Sequence, residues 1–396
     1  MLLEILISIA LGIMAGTITG LIPGIHINLV GAFIISLSTG ILLKVNEIYL
    51  IVFITAMAIT HTFIDFIPSI FLGCPDGETE LSVLPGHELL KEGKGHEAIM
   101  ITTYASLAAI FILVIAAFPS IFIFKVLYEP IKKITPFLLI FVIIILISLE
   151  KNKFKSLTAL LLTGALGYFA LNFEIIKEPL LPLLTGLFGS SMLILSIKQK
   201  TKIPPQKITY EKPKLKRPLI GSAIASPLCS FLPGLGSGQA AIIGNIFCKQ
   251  DRKGFIALVG ATNTLVMGFS FFALYAISKT RTGAAVAISE LAPNLTINKL
   301  ILILVTITIT GIAAFYLTKN LSIFFSKHMQ KINYEKLTIG TLIFLGILIT
   351  LISGVKGFVF LIISTLTGIY CIGLGVRRTN MMGCLLIPVI IFYLFG

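Results

Sequence analysis

Apolar runs of about 20 residues, enough to cross the hydrocarbon core of a bilayer as helices, follow one another along almost the whole of this 396-residue chain. Nothing else in the sequence restricts the fold as strongly. Backbone placed in lipid must satisfy its own amides and carbonyls, so only helices and closed barrels span a membrane. The runs lack the alternation of polar and apolar residues that barrel strands show. Only 12% of the residues are charged and 56% are hydrophobic, with a mean hydropathy of +1.02. A soluble domain carries about twice that charge. The chain reads as an all-α polytopic protein of the cell membrane. Its first run, MLLEILISIALGIMAG, has Glu4 where a signal peptide carries basic residues, and is expected to be a retained membrane segment.

Apolar segments fall near 2–22, 26–43, 48–73, 98–124, 134–149, 157–173 and 179–197. A second series falls near 219–247, 254–277, 283–293, 298–318, 337–353, 357–376 and 380–395. Some are too short to span, so ten to twelve crossings are expected, with the rest as half-helices or re-entrant pieces. Between the two series, Lys198 to Arg217 hold eight basic residues and one acid, Glu211, a net +7 that is half of the chain's +14. This stretch lacks the interleaved aromatics of a nucleic-acid site and is flanked by membrane segments. Loops rich in Lys and Arg stay on the cytoplasmic side. Its prolines, Pro204, Pro205, Pro213 and Pro218, favour an extended linker. The expected organisation is an N-terminal membrane repeat, 1–197, a basic cytoplasmic linker, 198–217, and a C-terminal membrane repeat, 218–396.

Each half carries a Pro-Gly pair inside apolar sequence: GLIPGIHINLVGAF, with Pro23 and Gly24, and SFLPGLGSGQAAIIGNIF, with Pro233 and Gly234. Proline removes an amide and clashes with the preceding turn, so each pair ends one half-helix and lets another begin. Non-helical backbone at membrane depth is tolerated where it lines a cavity or is buried in protein. The new half-helix points amide groups and a positive dipole end into the gap, a ready anion site. Gly234, Gly236 and Gly238 leave backbone bare in the second break, with Ser237 and Gln239 as polar groups; His26 and Asn28 occupy the first. Downstream, AITHTF (58–63) and GATNTL (260–265) echo one another, placing His61 and Asn263 between threonines. Asn263 and Thr264 are therefore expected as further substrate contacts. Two related halves, each with a discontinuous helix, are a common transporter plan, and inverted repeats are the preferred relation because they permit alternating access.

His61 and Asp65 are four residues apart and share a helix face. Ionisable residues inside membrane helices are often functional, so the pair is a candidate proton relay, set against a structural pairing. The polar stretch CPDGETELSVLPGHELLKEGKGHEAI holds six of the 17 acids and two histidines. It is expected as a solvated loop, with a metal site from His87, Glu88, His96 and Glu97 as the alternative. The five cysteines are scattered without metal spacing and read as packing residues. No HExxH, CxxC or P-loop occurs, and GLGSG lacks a surrounding βαβ unit. The chain is expected not to be an enzyme, and any transport it performs to be secondary or powered by another chain.

The two Pro-Gly segments resemble the glycine-rich motifs of the TctA family, the large membrane subunit of tripartite tricarboxylate transporters. The stretch FLGCPDGETELSVLPGHELLKEGKGHEAI and the ATNT around Asn263 are similar to further parts of that family. His26 stands where the family has a glycine, CPDG replaces a simpler Pro-Gly, and the chain is shorter than is usual, so the resemblance implies the fold more firmly than tricarboxylate specificity. It also implies a small membrane subunit and an extracytoplasmic binding protein as partners, neither visible in this chain. The sequence thus points to an ion-coupled secondary transporter for an organic anion, a carboxylate before others. Its site is expected between the two broken segments near the membrane midplane, with Na+ or H+ as coupling ion and no other cofactor. The alternatives are a transporter of a lipid-linked phosphate such as polyprenyl phosphate and, behind it, a metal-dependent lipid enzyme. Substrate, coupling ion, direction and homo-oligomerisation stay open.

Overall fold

The computed structural model describes residues 1–22, 45–73, 79–172, 176, 178–198, 203–232, 235–329 and 334–395. Among these residues every regular element is helical. The N-terminal half contains α1 (Leu2–Leu21), α2 (Glu47–Ile64), α3 (Phe66–Phe71), α4 (Val83–Lys91), α5 (Gly95–Ser148), α6 (Lys153–Asn172), α7 (Leu180–Leu184) and α8 (Ser191–Lys198). A 3-10 turn, Glu80–Ser82, leads into α4, and a π-helical turn, Thr185–Ser190, joins α7 to α8. The C-terminal half contains α9 (Lys216–Cys229), α10 (Ser237–Phe247), α11 (Arg252–Ile277), α12 (Gly283–Leu291), α13 (Ile297–Met329), α14 (Tyr334–Gly373) and α15 (Gly383–Phe395), with a 3-10 turn, Arg378–Met382, before the last.

Nine helical stretches among the described residues are long and apolar enough to cross a membrane. The apolar segment 26–43 and the first Pro-Gly break lie outside the described residues. Segments 98–124 and 134–149 are one continuous helix, the 54-residue α5, which carries Pro119, Pro130 and Pro136 within it. Segments 337–353 and 357–376 both lie in α14, which turns at Gly354 (φ 73°). That left-handed φ suits glycine and ends the helical path. Phe358 packs 3.2 Å from where a Cβ on Gly346 would stand, whereas residues twelve apart on a straight helix are about 18 Å apart. The element is a helical hairpin.

One face of α1 is Gly12, Gly16 and Gly20, and α2 fills the space their side chains would take: a Cβ on Gly12 would stand 2.6 Å from Phe53 O, and one on Gly20 3.0 Å from Ile64 Cβ. The two helices are therefore parallel and almost touching, since small residues let backbones approach in lipid. Leu3, Leu6, Ile7, Leu11, Met14 and Ile18 cover the exposed side of α1 and suit hydrocarbon.

The centre of the bundle is α2 and α11, each with 94% of its spanning window buried. Helix α2 runs parallel to α13: Glu47 pairs with Lys299 at 2.7 Å near their starts, and Phe71, just past α2, stacks on Phe325 near the end of α13. Helix α11 runs parallel to α5: Lys253 pairs with Glu97 at 2.7 Å near their starts, and Phe269 meets Phe124 further along. Helices α5 and α13 are antiparallel, because His96 bonds Ser322 while Gly311 packs on Ile110. It follows that α2 and α11 run in opposite directions. The Glu47–Lys299 and Lys253–Glu97 pairs sit at opposite ends of the bundle.

The linker is less free than its prolines suggest. Residues 203–215 have no regular structure, yet Gln206 is buried, donating to Leu90 O and accepting from the Gly95 amide at 2.8 Å. Tyr210 packs on His96 and Tyr104, and Glu211 reaches Lys253. These contacts place the linker at the Lys253–Glu97 end, here termed the linker face.

Candidate functional site

The second break lies in a hairpin that enters from the linker face and returns to it. Helix α9 begins where the linker ends and α10 ends just before Asp251 caps α11. Gly221, early in α9, and Gly244, late in α10, lie back to back, each within 2.9 Å of a Cβ placed on the other. With 14 and 11 residues, the arms measure about 21 and 16 Å, short of the roughly 30 Å hydrocarbon core. The N-terminus of α10 therefore lies at the end of the hairpin away from the linker face. Pro233 and Gly234 themselves lie outside the described residues, as do Pro23, Gly24, His26 and Asn28 of the first break.

At the start of α10, Gly236 is in extended conformation and its amide donates to Gln239 Oε1 at 2.7 Å. This turns the other end of the Gln239 amide group outward as a donor. Gln239 is 2% exposed, and its Nε2 has no acceptor among the described residues. Ser237 is fully buried beside it. Arg281, on the turn after α11, donates through Nη1 to Leu235 O and anchors the break to the second half. The space in front of Gly238, expected to be bare backbone for a ligand, is where Glu80 reaches: a Cβ on Gly238 would collide with Glu80 Oε1 and stand 3.1 Å from Met382 Cε.

The Thr-X-Thr segments meet at the centre. Thr62 Oγ1 on α2 and Thr264 Oγ1 on α11 are 3.3 Å apart, at positions 202 residues apart in sequence. Asn263 Nδ2 donates to Asp65 Oδ2 at 2.7 Å. Helix α2 stops at Ile64 because Pro68 has no amide to return to the Ile64 carbonyl. The freed chain puts Asp65 between α2 and α3, where its carbonyl accepts the Ser69 hydroxyl at 2.9 Å. His61 Nδ1 lies 3.1 Å from Thr19 Oγ1 on α1. His61 and Asp65, read from spacing as a pair, are thus tied to different helices.

The polar stretch expected as a solvated loop is largely packed into the bundle. Glu80, His87, His96 and Glu97 are each 5% exposed or less. Helix α11 begins with two cations that hold it there: Arg252 reaches Glu88 at 3.5 Å and Glu92 at 2.6 Å, and Lys253 reaches Glu97. Lys94 and Arg252 together hold the Glu92 carboxyl below the usual carboxylate range. Burial, aided by the charges of Lys91 and Arg378, pushes His87 down to about 3, so it is neutral at neutral pH. The alternative metal quartet is dispersed: His96 bonds Ser322 while Glu88 and Glu97 face cations. Among the described residues no three His, Cys, Asp or Glu are grouped to hold a metal.

Sequence reasoning missed two features. One is Glu80, submerged in an acidic stretch read as loop. The other is a cavity of about 290 Å³ on the linker face, lined by Glu80, Glu88, Asn245, Arg252, Arg377 and Arg378 among others. Arg377 pairs with Glu150, whereas Arg378 makes no ion pair among the described residues and reaches Met192 Sδ at 3.0 Å. Only the cluster of basic residues before the last segment, GVRRTN, could have signalled it.

The family profile described as the tripartite tricarboxylate transporter TctA family matches residues 6–383. The chain belongs to that family. It is also 35% identical, over 99% of both chains, to a Methanocaldococcus jannaschii protein described as uncharacterized protein MJ1079. No solved structure matches. As a member of this transporter family with nine membrane-length stretches among its described residues, the chain is a multi-pass membrane component of the tricarboxylate-transporter type.

Proposed function

We propose that this TctA-family protein is an ion-coupled secondary transporter of an organic anion, a carboxylate, which binds at the N-terminus of α10. The observation that carries the reading is the start of α10, where the buried Gln239 Nε2 donor is unused among the described residues; placed at membrane depth, as the short arms of the hairpin suggest, it adds a positive dipole end in low dielectric. Ser237, Gly236 and Gly238 form the near wall. Asn263 and Thr264 are assigned to bound the site towards the centre; the expected contacts Pro23, Gly24, His26, Asn28, Pro233 and Gly234 lie outside the described residues.

Alternating access needs two halves that can exchange roles, and three observations support inverted repeats. Thr62 meets Thr264. Ser69 on α3 lies 2.6 Å from Thr79, and Ser270 on α11 lies 2.6 Å from Thr282, each hydroxyl pair joining a helix to the residue that precedes the next helical element. The two ion pairs at the starts of α2 and α11 stand at opposite ends of the bundle. The chain is proposed to work with the small membrane subunit and binding protein of tripartite systems.

Thermal unfolding of the purified protein with di- and tricarboxylates, inorganic phosphate and polyprenyl phosphate, each with and without sodium, tests the reading. A ligand at 100 times its Kd adds about 2.7 kcal/mol. Stabilisation by a carboxylate is expected. Stabilisation by polyprenyl phosphate alone transfers the site to lipid-linked phosphates, and none with any anion removes the site.

A further inference from the structure

We infer that Glu80 is the proton-coupling residue of this transporter: its carboxylate occupies the N-terminus of α10 when charged and yields it to the substrate anion when protonated. The inference rests on the anion-transport reading above and deepens it. Two observations place Glu80 in this role. It is the side chain that meets Gly238, so close that a methyl group there would collide with Oε1. It also lines the linker-face cavity, while the residue as a whole is 2% exposed. Glu80 therefore stands between water on one side and the helix start that offers Ser237, Gly238 and the spare Gln239 donor on the other.

The electrostatics select between its two protonation states. An anion brought to α10 beside a charged Glu80 would put two negative charges a few ångströms apart in a medium of low dielectric, where repulsion is strong and one group is driven to take a proton. Protonation forms one O–H bond on the carboxylate, the proton coming from a hydronium ion that is left as water. The acid then offers an O–H donor to the anion in place of a competing charge. Anion and proton cross together, one of each, and both leave when the site opens to the other face.

The charged and titratable groups on the elements around Glu80 frame this behaviour. Helix α4 carries His87, Glu88 and Lys91; Asp65 precedes α3; α11 starts with Arg252 and Lys253 after Asp251; and the last segment carries Arg377, Arg378 and Cys384. The π turn and α10 carry none. Of the cations, Arg252 is committed to Glu88 and Glu92 and Arg377 to Glu150. Arg378, without an ion pair among the described residues, keeps the cavity attractive to an incoming anion.

The experiment is uptake of labelled citrate, succinate and phosphate by the full chain in liposomes, between about pH 8 and pH 5 outside, with proton movement recorded in parallel. In the wild type, uptake should rise as external pH falls, by up to roughly tenfold per unit above the pKa of Glu80, with one proton moved per anion. Glu80→Gln should lose the pH dependence of the anion uptake that remains and lose proton movement. Glu80→Asp, which keeps a carboxyl, should keep both at a shifted midpoint and serves if the Gln variant does not fold. PH-independent wild-type uptake, or a Glu80→Gln protein with the wild-type profile, overturns the inference and leaves anion transport standing. No uptake of any probe by the wild type, together with no stabilisation by any anion in thermal unfolding, overturns the transport reading and this inference with it.

Discussion

Asp65, between α2 and α3, accepts a 2.7 Å hydrogen bond from Asn263 on α11, and this contact ties the two halves of the protein at their buried centre. Removing the donor leaves a buried carboxylate oxygen without it, a loss of roughly 1–3 kcal/mol. Asn263→Ala should lower stability by that amount in detergent unfolding. Asp65→Asn, which keeps an oxygen acceptor, should cost less. Wild-type stability in Asn263→Ala would show that the contact is not made in solution.

The ion pairs at the two ends should act as latches. Glu47→Gln or Lys299→Gln loosens the end remote from the linker, and Glu97→Gln the linker face. Partly exposed pairs are worth about 0.2–1 kcal/mol, so each change should speed modification of a cysteine introduced at Thr264 by up to about fivefold, from one side of the membrane only. Equal effects from both sides for both variants would remove the alternating-access reading.

The depressed pKa of His87 gives a signed pH dependence. The unfolded chain takes a proton near pH 6.5, which the folded protein refuses until about pH 3. Stability from this group is therefore complete above pH 6.5 and is lost progressively as pH falls towards 3, by up to roughly 5 kcal/mol. His87→Gln should flatten the acid side of the stability profile in calorimetry. An unchanged acid limb would mean that His87 is protonated in the folded state.

Gly238 and Gly340 form a matched comparison. A methyl at Gly238 meets Glu80, whereas nothing lies within 4 Å of a Cβ at Gly340. Gly340→Ala should be neutral or stabilising by up to about 1 kcal/mol. Gly238→Ala should destabilise, and Glu80→Ala in the same chain should relieve part of that loss, a coupling that a double-mutant cycle reads directly. Strict additivity would separate Glu80 from α10.

The linker face should be cytoplasmic because of its basic charge. Lys212→Cys is the suitable reporter, being exposed where Gln206 is buried. An impermeant thiol reagent should reach it in inverted vesicles and not in intact cells. The reverse pattern would turn the protein over.

Hydropathy and the positions of Pro and Gly are local properties, so the sequence by itself determined that this chain is a bundle of membrane helices and that α9 and α10 part near Pro233. The Thr-X-Thr echo likewise pointed to the two segments that meet as Thr62 and Thr264. Local periodicity also placed His61 and Asp65 on one face, but their partners Thr19 and Asn263 lie 42 and 198 residues away, beyond the reach of any spacing rule. The same holds for the acidic stretch. Its composition is that of a solvated loop, yet Glu97 is buried against Lys253, 156 residues on, and His96 against Ser322, 226 residues on, while Glu88 and Glu92 stay exposed on Arg252. Glu80 could be found only by folding, since a carboxylate becomes a partner for a helix N-terminus when tertiary packing removes the water between them and a glycine leaves it room.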